Sequence, residues 1–227
     1  MKTDYIIMCG GEGIRLRPFT YIIPKPFLTT NDISPFDYII KNIDLKTTKN
    51  IYVSLKYKHN LAKKIIKKKN ISKIKIILEK NLLGTAGCLR NLLKKNVTQN
   101  LVIINGDIFT KFNFTEMINY HTKKRYDLTV GITNYEKSIP YAVLKKVKNK
   151  KCFKEKPKIK FKINAGVYIL SKKYAIKFFR MNKNKFINMT DIIDSVSKLG
   201  TFDIGEKWLD IGHIRDFKMA NSKIKKW

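Results

Sequence analysis

The stretch YIIMCGGEGIRLRP, residues 5–18, decides the fold. Its first five residues form an apolar run that predicts a short buried strand. Three glycines, Gly10, Gly11 and Gly13, follow at once. A glycine-rich turn lets the backbone approach an anion closely, so that its N–H groups can contact phosphate oxygens. The sequence therefore predicts a polyphosphate site at the end of the first strand.

Two cations accompany this loop. Arg15 offers a forked guanidinium for a polyphosphate, and Lys25 lies between Pro24 and Pro26, which restrict the backbone around it. The loop lacks the Gly-Lys-Ser/Thr ending of a P-loop and the Gly-x-Gly-x-x-Gly spacing of dinucleotide-binding proteins. A glycine-rich turn with incidental cations is the structural alternative.

Strand and helix patterns alternate through the first half of the chain, which predicts an α/β fold with a mostly parallel sheet and helices on both faces. The predicted strands are 5–9, 51–55, 74–78, 101–104 and 127–133, and the predicted helices are 36–45, 60–68, 86–94 and 115–123. The second half predicts a hairpin (141–147 with 151–155), a strand at 163–170, helices at 172–179 and 189–197, and short segments near 201–204 and 208–210.

Two further segments follow predicted strands, where ligands of open α/β sheets bind. Asp107 ends Asn-Gly-Asp after strand 101–104. A carboxylate there suits Mg²⁺, although the same residues also suit an ordinary turn. Gly84 and Thr85 open the helix predicted at 86–94, where small residues would let a flat base lie against the backbone. Thr85 is predicted to cap that helix, and an ordinary helix start is the alternative.

A fourth group of polar residues follows the predicted hairpin. Glu155 and Asn164 can exchange hydrogen bonds with sugar hydroxyls, and Lys156 can balance a substrate phosphate. Gly166 lies two residues beyond Asn164.

The composition fits a globular chain of one domain. The chain has 227 residues, 44% hydrophobic, with a net charge of +31, and only six of its 48 basic residues are Arg. Nucleic-acid readers rely on Arg for bidentate contacts, so this charge is interpreted as compositional bias, and no specific nucleic-acid partner is expected. No apolar run is long enough to cross a bilayer, and the three cysteines are far apart. We expect a cytoplasmic protein with no membrane partner.

Together the loop 10–18 and Pro24-Lys25-Pro26 resemble the signature of the sugar-1-phosphate nucleotidylyltransferases, in particular bacterial guanylyltransferases acting on mannose, heptose or glucosamine 1-phosphates. Ile14 stands where that signature has Thr or Ser. Segment 83–87, Asn105-Gly106-Asp107, segment 155–166 and Trp208-Leu209-Asp210 match later motifs in the same order. The resemblance implies a three-layer α/β/α Rossmann-like nucleotidyltransferase fold with a mixed, mostly parallel sheet.

The resemblance also implies a role for each matching residue. Residues 1–134 would form the nucleotide-binding half of a single domain and residues 135–227 the sugar-phosphate half. Asp107 and Asp210 would hold Mg²⁺, and Arg15, Lys25 and Asp107 would be catalytic. The nucleotide would contact Gly10, Gly11, Gly13, Arg15, Gly84 and Thr85, and the sugar phosphate would contact Glu155, Lys156, Asn164 and Gly166.

The implied reaction joins an NTP and a sugar 1-phosphate into an NDP-sugar for surface glycan synthesis, with GTP the first choice. A cytidylyltransferase acting on phosphocholine or another small phosphate is the nearest alternative, because fold alone does not fix the substrate. A non-enzymatic nucleotide- or nucleic-acid-binding protein is a more distant one. The resemblance leaves the oligomeric state open, including a homo-oligomer.

Overall fold

A computed structural model describes residues 2–81, 83–147 and 150–227. Its strands are β1 (Thr3–Cys9), β2 (Thr48–Leu55), β3 (Ile74–Leu78), β4 (Asn100–Asn105), β5 (Ile108–Thr110), β6 (Leu128–Ser138), β7 (Val143–Val147), β8 (Lys150–Lys154), β9 (Lys158–Ser171), β10 (Leu199–Asp203) and β11 (Trp208–Asp210). Its α-helices are α1 (Pro35–Asn42), α2 (His59–Lys68), α3 (Cys88–Leu92), α4 (Phe114–Lys124), α5 (Lys172–Met181), α6 (Met189–Ser195) and α7 (Ile214–Ile224).

Seven strands form the central sheet in the order β10-β6-β9-β4-β1-β2-β3. Strand β1 pairs in parallel with both β2 and β4, whereas β9 pairs antiparallel with β4 and β6. Two small antiparallel pairs, β5 with β11 and β7 with β8, stand apart from this sheet. The mixed, mostly parallel sheet predicted from the sequence is confirmed.

Helices cover both faces of the sheet, because its central strands are apolar on both sides. On β1, Ile7 packs into a core with residues of α1, α2 and α4, whereas Ile6 packs into a second core with residues of α3, α5 and α6. Ile6 and Ile7 are both fully buried. The arrangement is the three-layer α/β/α fold that the sequence predicted.

Several elements differ from the sequence-based expectations. Strands β6 and β9 continue well beyond the sheet as an exposed two-stranded ribbon, whose alternating lysines hide the strand pattern. Strand β5 and helix α7 were not predicted. The helix begins after His213, an unusual N-cap residue, and a capping box with Asp216 stabilises its start. The turn of the predicted hairpin includes residues 148–149, which lie outside the described residues.

The parallel strands bring distant parts of the chain to one edge of the sheet. The carboxyl ends of β1, β2, β3 and β4 lie side by side, and the glycine-rich loop leaves the sheet there after Cys9. This edge is where the candidate site forms. None of the helices in the described ranges is long and apolar enough to span a bilayer.

A buried histidine makes the stability of the fold sensitive to pH. His121 on α4 is buried, and its Nδ1 lies 2.8 Å from the hydroxyl of Thr129 on β6. Burial lowers the pKa of His121 to about 4. In the unfolded chain His121 takes up a proton near pH 6.5, whereas in the folded chain it does so only near pH 4. The free energy of unfolding therefore falls as the pH decreases from 6.5 to 4.

We predict that the free energy of unfolding decreases between pH 6.5 and pH 4 by up to about 1.4 kcal/mol per pH unit from this group. In His121→Gln this pH-dependent contribution disappears. The difference in the free energy of unfolding between wild type and variant therefore shrinks towards low pH. Denaturant unfolding at several pH values measures the free energy of unfolding of both proteins. His59→Gln, at the start of α2, is the matched control. An unchanged pH slope in His121→Gln would contradict the prediction.

Candidate active site

The glycine-rich loop turns sharply under steric constraint at Gly13. Its φ is +64°, and a Cβ built there would lie 2.8 Å from Cγ2 of Thr20 and 3.1 Å from Cβ of Lys25. The Thr20 hydroxyl also donates to the Gly13 carbonyl at 3.0 Å. At Gly11, by contrast, no described atom lies within 4 Å of such a Cβ. The loop is therefore fixed at Gly13 and open to a ligand at Gly11.

Lys25 lies at the base of this loop and contacts two carboxylates. It begins a short 3-10 helix (Lys25–Phe27), and only 7% of its surface is exposed. Its Nζ is 2.6 Å from Oδ2 of Asp107 and 3.3 Å from Oδ1 of Asp210. The structure thus brings together three of the residues that the sequence analysis selected.

The small β5–β11 sheet explains why the two carboxylates meet. Asp107 directly precedes β5, and Asp210 ends β11 opposite Ile108 of β5. The Ile211 N–H also donates to the Asp107 carbonyl at 3.3 Å. This antiparallel pairing thus brings the carboxylates of Asp107 and Asp210, which are far apart in the sequence, to the ammonium group of Lys25.

The environment of the two carboxylates suits a divalent cation. Partial burial and, second, the neighbouring Asp107 charge raise the pKa of Asp210, while Lys25 and Arg15 offset part of this increase. No group of three or more His, Cys, Asp or Glu in the described ranges is arranged to hold a metal. Two carboxylates are nevertheless what Mg²⁺ uses when phosphate oxygens and water complete its ligands. Asp107 and Asp210 could therefore hold a divalent cation such as Mg²⁺ if phosphate oxygens and water completed its ligands.

A cavity of about 640 Å³ opens above Lys25, and we call it the phosphate cavity. It is lined by Gly11, Gly13, Arg15, Lys25 and Asp107 among others. Nη1 of Arg15 lies 3.3 Å from Nε2 of His213. The cavity combines loop backbone with two cations, as a polyphosphate site requires.

A second cavity of about 300 Å³ lies on the other side of the glycine-rich loop, and we call it the base cavity. Gly10, Gly11, Gly84 and Thr85 line it, and Asp107 belongs to both cavities. The sequence-predicted nucleotide residues therefore line two adjoining spaces that share Gly11 and Asp107.

The loop at Gly84 is held by the segment before α6. Gly84 has a φ of +78°, and a Cβ there would lie 2.3 Å from the Ile187 carbonyl oxygen. Thr85 does not cap a helix as predicted, because α3 starts at Cys88 with Gly87 as its N-cap. The Thr85 hydroxyl instead accepts a hydrogen bond from the Met189 N–H at 2.9 Å. Contacts from α6 therefore replace the expected helix cap.

The four residues predicted to bind the sugar phosphate lie in two separate regions of the structure. Asn164 donates to the Tyr168 hydroxyl at 3.0 Å and accepts from the Gly166 N–H at 2.9 Å. Gly166 packs against Asn105, so this pair lies beside the end of β4. Glu155 and Lys156 are exposed after β8, and neither lines the phosphate cavity or the base cavity.

Sequence reasoning missed several residues that line the base cavity. Lys56 and Glu79 directly follow β2 and β3, and Cys88 and Asn188 come from α3 and the start of α6. A charged residue directly after a predicted strand is a signal that could have found the first two. Asn188 carries no such signal, because only the fold brings it to Thr85.

Comparisons with known proteins identify the family of this chain. The family model described as "Nucleotidyl transferase" matches residues 4–226. The chain is 29% identical over 226 residues to a mannose-1-phosphate guanyltransferase of Pichia angusta, covering 93% of this chain and 61% of that protein. It is 30% identical over 230 residues to the bifunctional protein GlmU of Methanococcus aeolicus, covering 98% of this chain and 54% of that protein. The chain thus spans between half and two thirds of these relatives.

A solved structure shows the same fold. The crystal structure of HddC from Yersinia pseudotuberculosis has a TM-score of 0.74 at 23% identity, covering 98% of this chain and 99% of that one. A second structure of HddC, complexed with GMP-PN, has a TM-score of 0.72 at 24% identity and covers the same shares. With a family model that matches nearly every residue, the chain belongs to the nucleotidyl transferase family.

Proposed function

We propose that this chain transfers a nucleotidyl group from an NTP to a sugar 1-phosphate, forming an NDP-sugar and releasing pyrophosphate. The observation that carries the proposal is the buried Lys25, which contacts both Asp107 and Asp210 beneath the glycine-rich loop. GTP is the first choice of nucleotide, because a similar protein is named a mannose-1-phosphate guanyltransferase and HddC was crystallised with GMP-PN. The product would serve surface glycan synthesis.

In the proposed reaction, a phosphate oxygen of the sugar 1-phosphate attacks the α-phosphorus of the NTP, and pyrophosphate leaves from the opposite side. The sugar phosphate is already ionised at neutral pH, so the protein needs no general base. Positioning and charge neutralisation supply the rate enhancement. Gly10, Gly11 and Gly13 hold the triphosphate, and Arg15 stabilises the charge that develops on the leaving pyrophosphate.

Lys25 has a double role in this scheme. Without substrate it neutralises two neighbouring carboxylates, and with substrate it contacts the phosphates that enter the phosphate cavity. Asp107 and Asp210 would hold Mg²⁺, and the ion would supply neutralisation of phosphate charge when bound. Asn164 and Gly166 orient the sugar beside β4, while Glu155 and Lys156 contact its outer side.

A pyrophosphate-release screen tests the proposal. Each of four NTPs is combined with Mg²⁺ and a panel of sugar 1-phosphates. In a separate arm, CTP is combined with phosphocholine and other small phosphates. We expect release only when an NTP and a sugar 1-phosphate are present together. Release with CTP and phosphocholine alone would favour the alternative acceptor class.

We predict that Asp107→Asn lowers turnover about a hundredfold or more, corresponding to the loss of about 2.7 kcal/mol of transition-state stabilisation. The substitution keeps the size of the side chain but removes its charge. Steady-state pyrophosphate release measures the effect. Asp194→Asn on the exposed side of α6 is the control. Near-normal turnover of a folded Asp107→Asn enzyme would exclude the metal-binding role.

We predict a similar loss of turnover, about a hundredfold, for Lys25→Ala. The variant also leaves Asp107 and Asp210 without their shared cation, so its thermal stability without Mg²⁺ decreases and recovers in part when Mg²⁺ is added. Turnover and melting temperature, with and without Mg²⁺, measure the two effects. Lys64→Ala on the exposed side of α2 is the control. Unchanged turnover would rule out phosphate binding by Lys25.

A further inference from the structure

The loop formed by residues 83–86 is paired with segment 182–188, the irregular stretch between α5 and α6. The Ile187 N–H donates to the Leu83 carbonyl at 2.8 Å, and the Ile187 carbonyl accepts from the Ala86 N–H at 2.9 Å. The position of the loop therefore depends on where segment 182–188 lies.

Segment 182–188 also forms part of the wall of the base cavity. Phe186 and Asn188 both line that cavity, and Oδ1 of Asn188 accepts from the Thr85 N–H at 3.2 Å. The backbones of Gly84 and Ile187 are in direct contact, with no room between them for a side chain at Gly84. A shift of the segment would consequently change both the width of the cavity and the position of the loop.

A single side chain fixes the start of this segment. Nη1 of Arg90, on α3, donates to the Phe179 carbonyl at 3.2 Å. Nη2 donates to the carbonyls of Asn182 at 2.9 Å and Asn184 at 2.8 Å. The guanidinium also lies over the Phe179 ring, with Cζ 5.1 Å from the ring centroid. Arg90 thus joins α3 to the segment through three hydrogen bonds and one cation–π contact.

These contacts reach beyond an ordinary helix end. Phe179 lies in the last turn of α5 and Asn182 is its C-cap, so their carbonyls need donors from outside the helix. Asn184 lies past the cap, on the way to Ile187. Three carbonyls around one group suit a planar guanidinium with five N–H donors, whereas an ammonium group on a flexible stem does not fix such a geometry.

Arg90 is also linked to the loop through its own helix. Helix α3 begins at Cys88, directly after the loop and its N-cap Gly87. The chain around the base cavity is therefore fixed at two places, by the pairing at Ile187 and by the Arg90 contacts. Arg90 itself lines neither the base cavity nor the phosphate cavity.

We infer that Arg90 is a positioning residue of the nucleotide site, which holds segment 182–188 against loop 83–86 and so sets the shape of the base cavity. The inference rests on the proposed nucleotidyl transfer. Lys25, Asp107 and Asp210 belong to other elements, so the influence of Arg90 falls on nucleotide binding and not on the chemical step.

Steady-state kinetics of Arg90→Ala and Arg90→Lys test the inference. We expect the KM for the NTP to rise about tenfold in both variants, because lysine restores the charge but not the fork. The KM for the sugar 1-phosphate and kcat at saturating NTP change by less than about twofold, since the residues around Lys25 are undisturbed. Arg180→Ala, exposed on α5, is the matched control. Arg90→Lys serves alone if Arg90→Ala does not fold.

Hydrogen exchange and calorimetry test the same inference without turnover. In the variant, we expect peptides covering 83–86 and 182–188 to exchange faster than in wild type, while peptides covering β1 are unchanged. GTP with Mg²⁺ binds about tenfold more weakly to the variant.

Three outcomes separate the possible roles of Arg90. A folded variant with a lower melting temperature but wild-type KM for the NTP and wild-type GTP affinity has lost only a structural contact, which overturns the inference. An equal rise in the KM of both substrates overturns it as well. If GTP binding weakens as predicted but wild type releases no pyrophosphate with any sugar 1-phosphate, the positioning role stands and the proposed function fails.

Discussion

The contact of one ammonium group with two carboxylates is the constraint on which the rest of the site depends. Lys25 is almost fully buried, and a buried cation is tolerated only with close counter-charges. Asp107 and Asp210 supply them at 2.6 and 3.3 Å. The two carboxylates in turn need Lys25 while no metal neutralises them. This arrangement holds three distant parts of the chain in register around the place where phosphates would bind.

The fold creates that meeting point in two steps. Parallel pairing of β1 with β4 places the glycine-rich loop next to the turn that carries Asp107. Antiparallel pairing of β5 with β11 then brings Asp210 to the same turn. Both steps are backbone pairings, so the position of each carboxylate is set by strand register rather than by a flexible loop. Side chains fixed in this way would already be in place when a substrate arrived, which is what electrostatic catalysis requires.

Local pattern predicted much of this fold, and tertiary contacts explain what it missed. The apolar runs of β1 and β4 are short, buried on both faces and bounded by turn residues, so the sequence located them closely. The ribbon formed by β6 and β9 is lysine-rich and exposed, and its length was underestimated. Thr85 was predicted to cap a helix from sequence spacing alone, whereas its hydroxyl accepts a hydrogen bond from the N–H of Met189, more than a hundred residues away. Asn188 was missed because only the fold brings it to Thr85.

The central claim is that the two substrates are joined, and one measurement tests it most directly. Phosphorus NMR of a single reaction mixture, containing the chain, Mg²⁺, GTP and mannose 1-phosphate, follows every phosphorus-containing species at once. We predict that pyrophosphate and a GDP-sugar appear in equal amounts as GTP and the sugar phosphate disappear together. Pyrophosphate or inorganic phosphate formed without a nucleotide sugar, or no reaction with any of the four NTPs and the sugar 1-phosphate panel, would contradict the account.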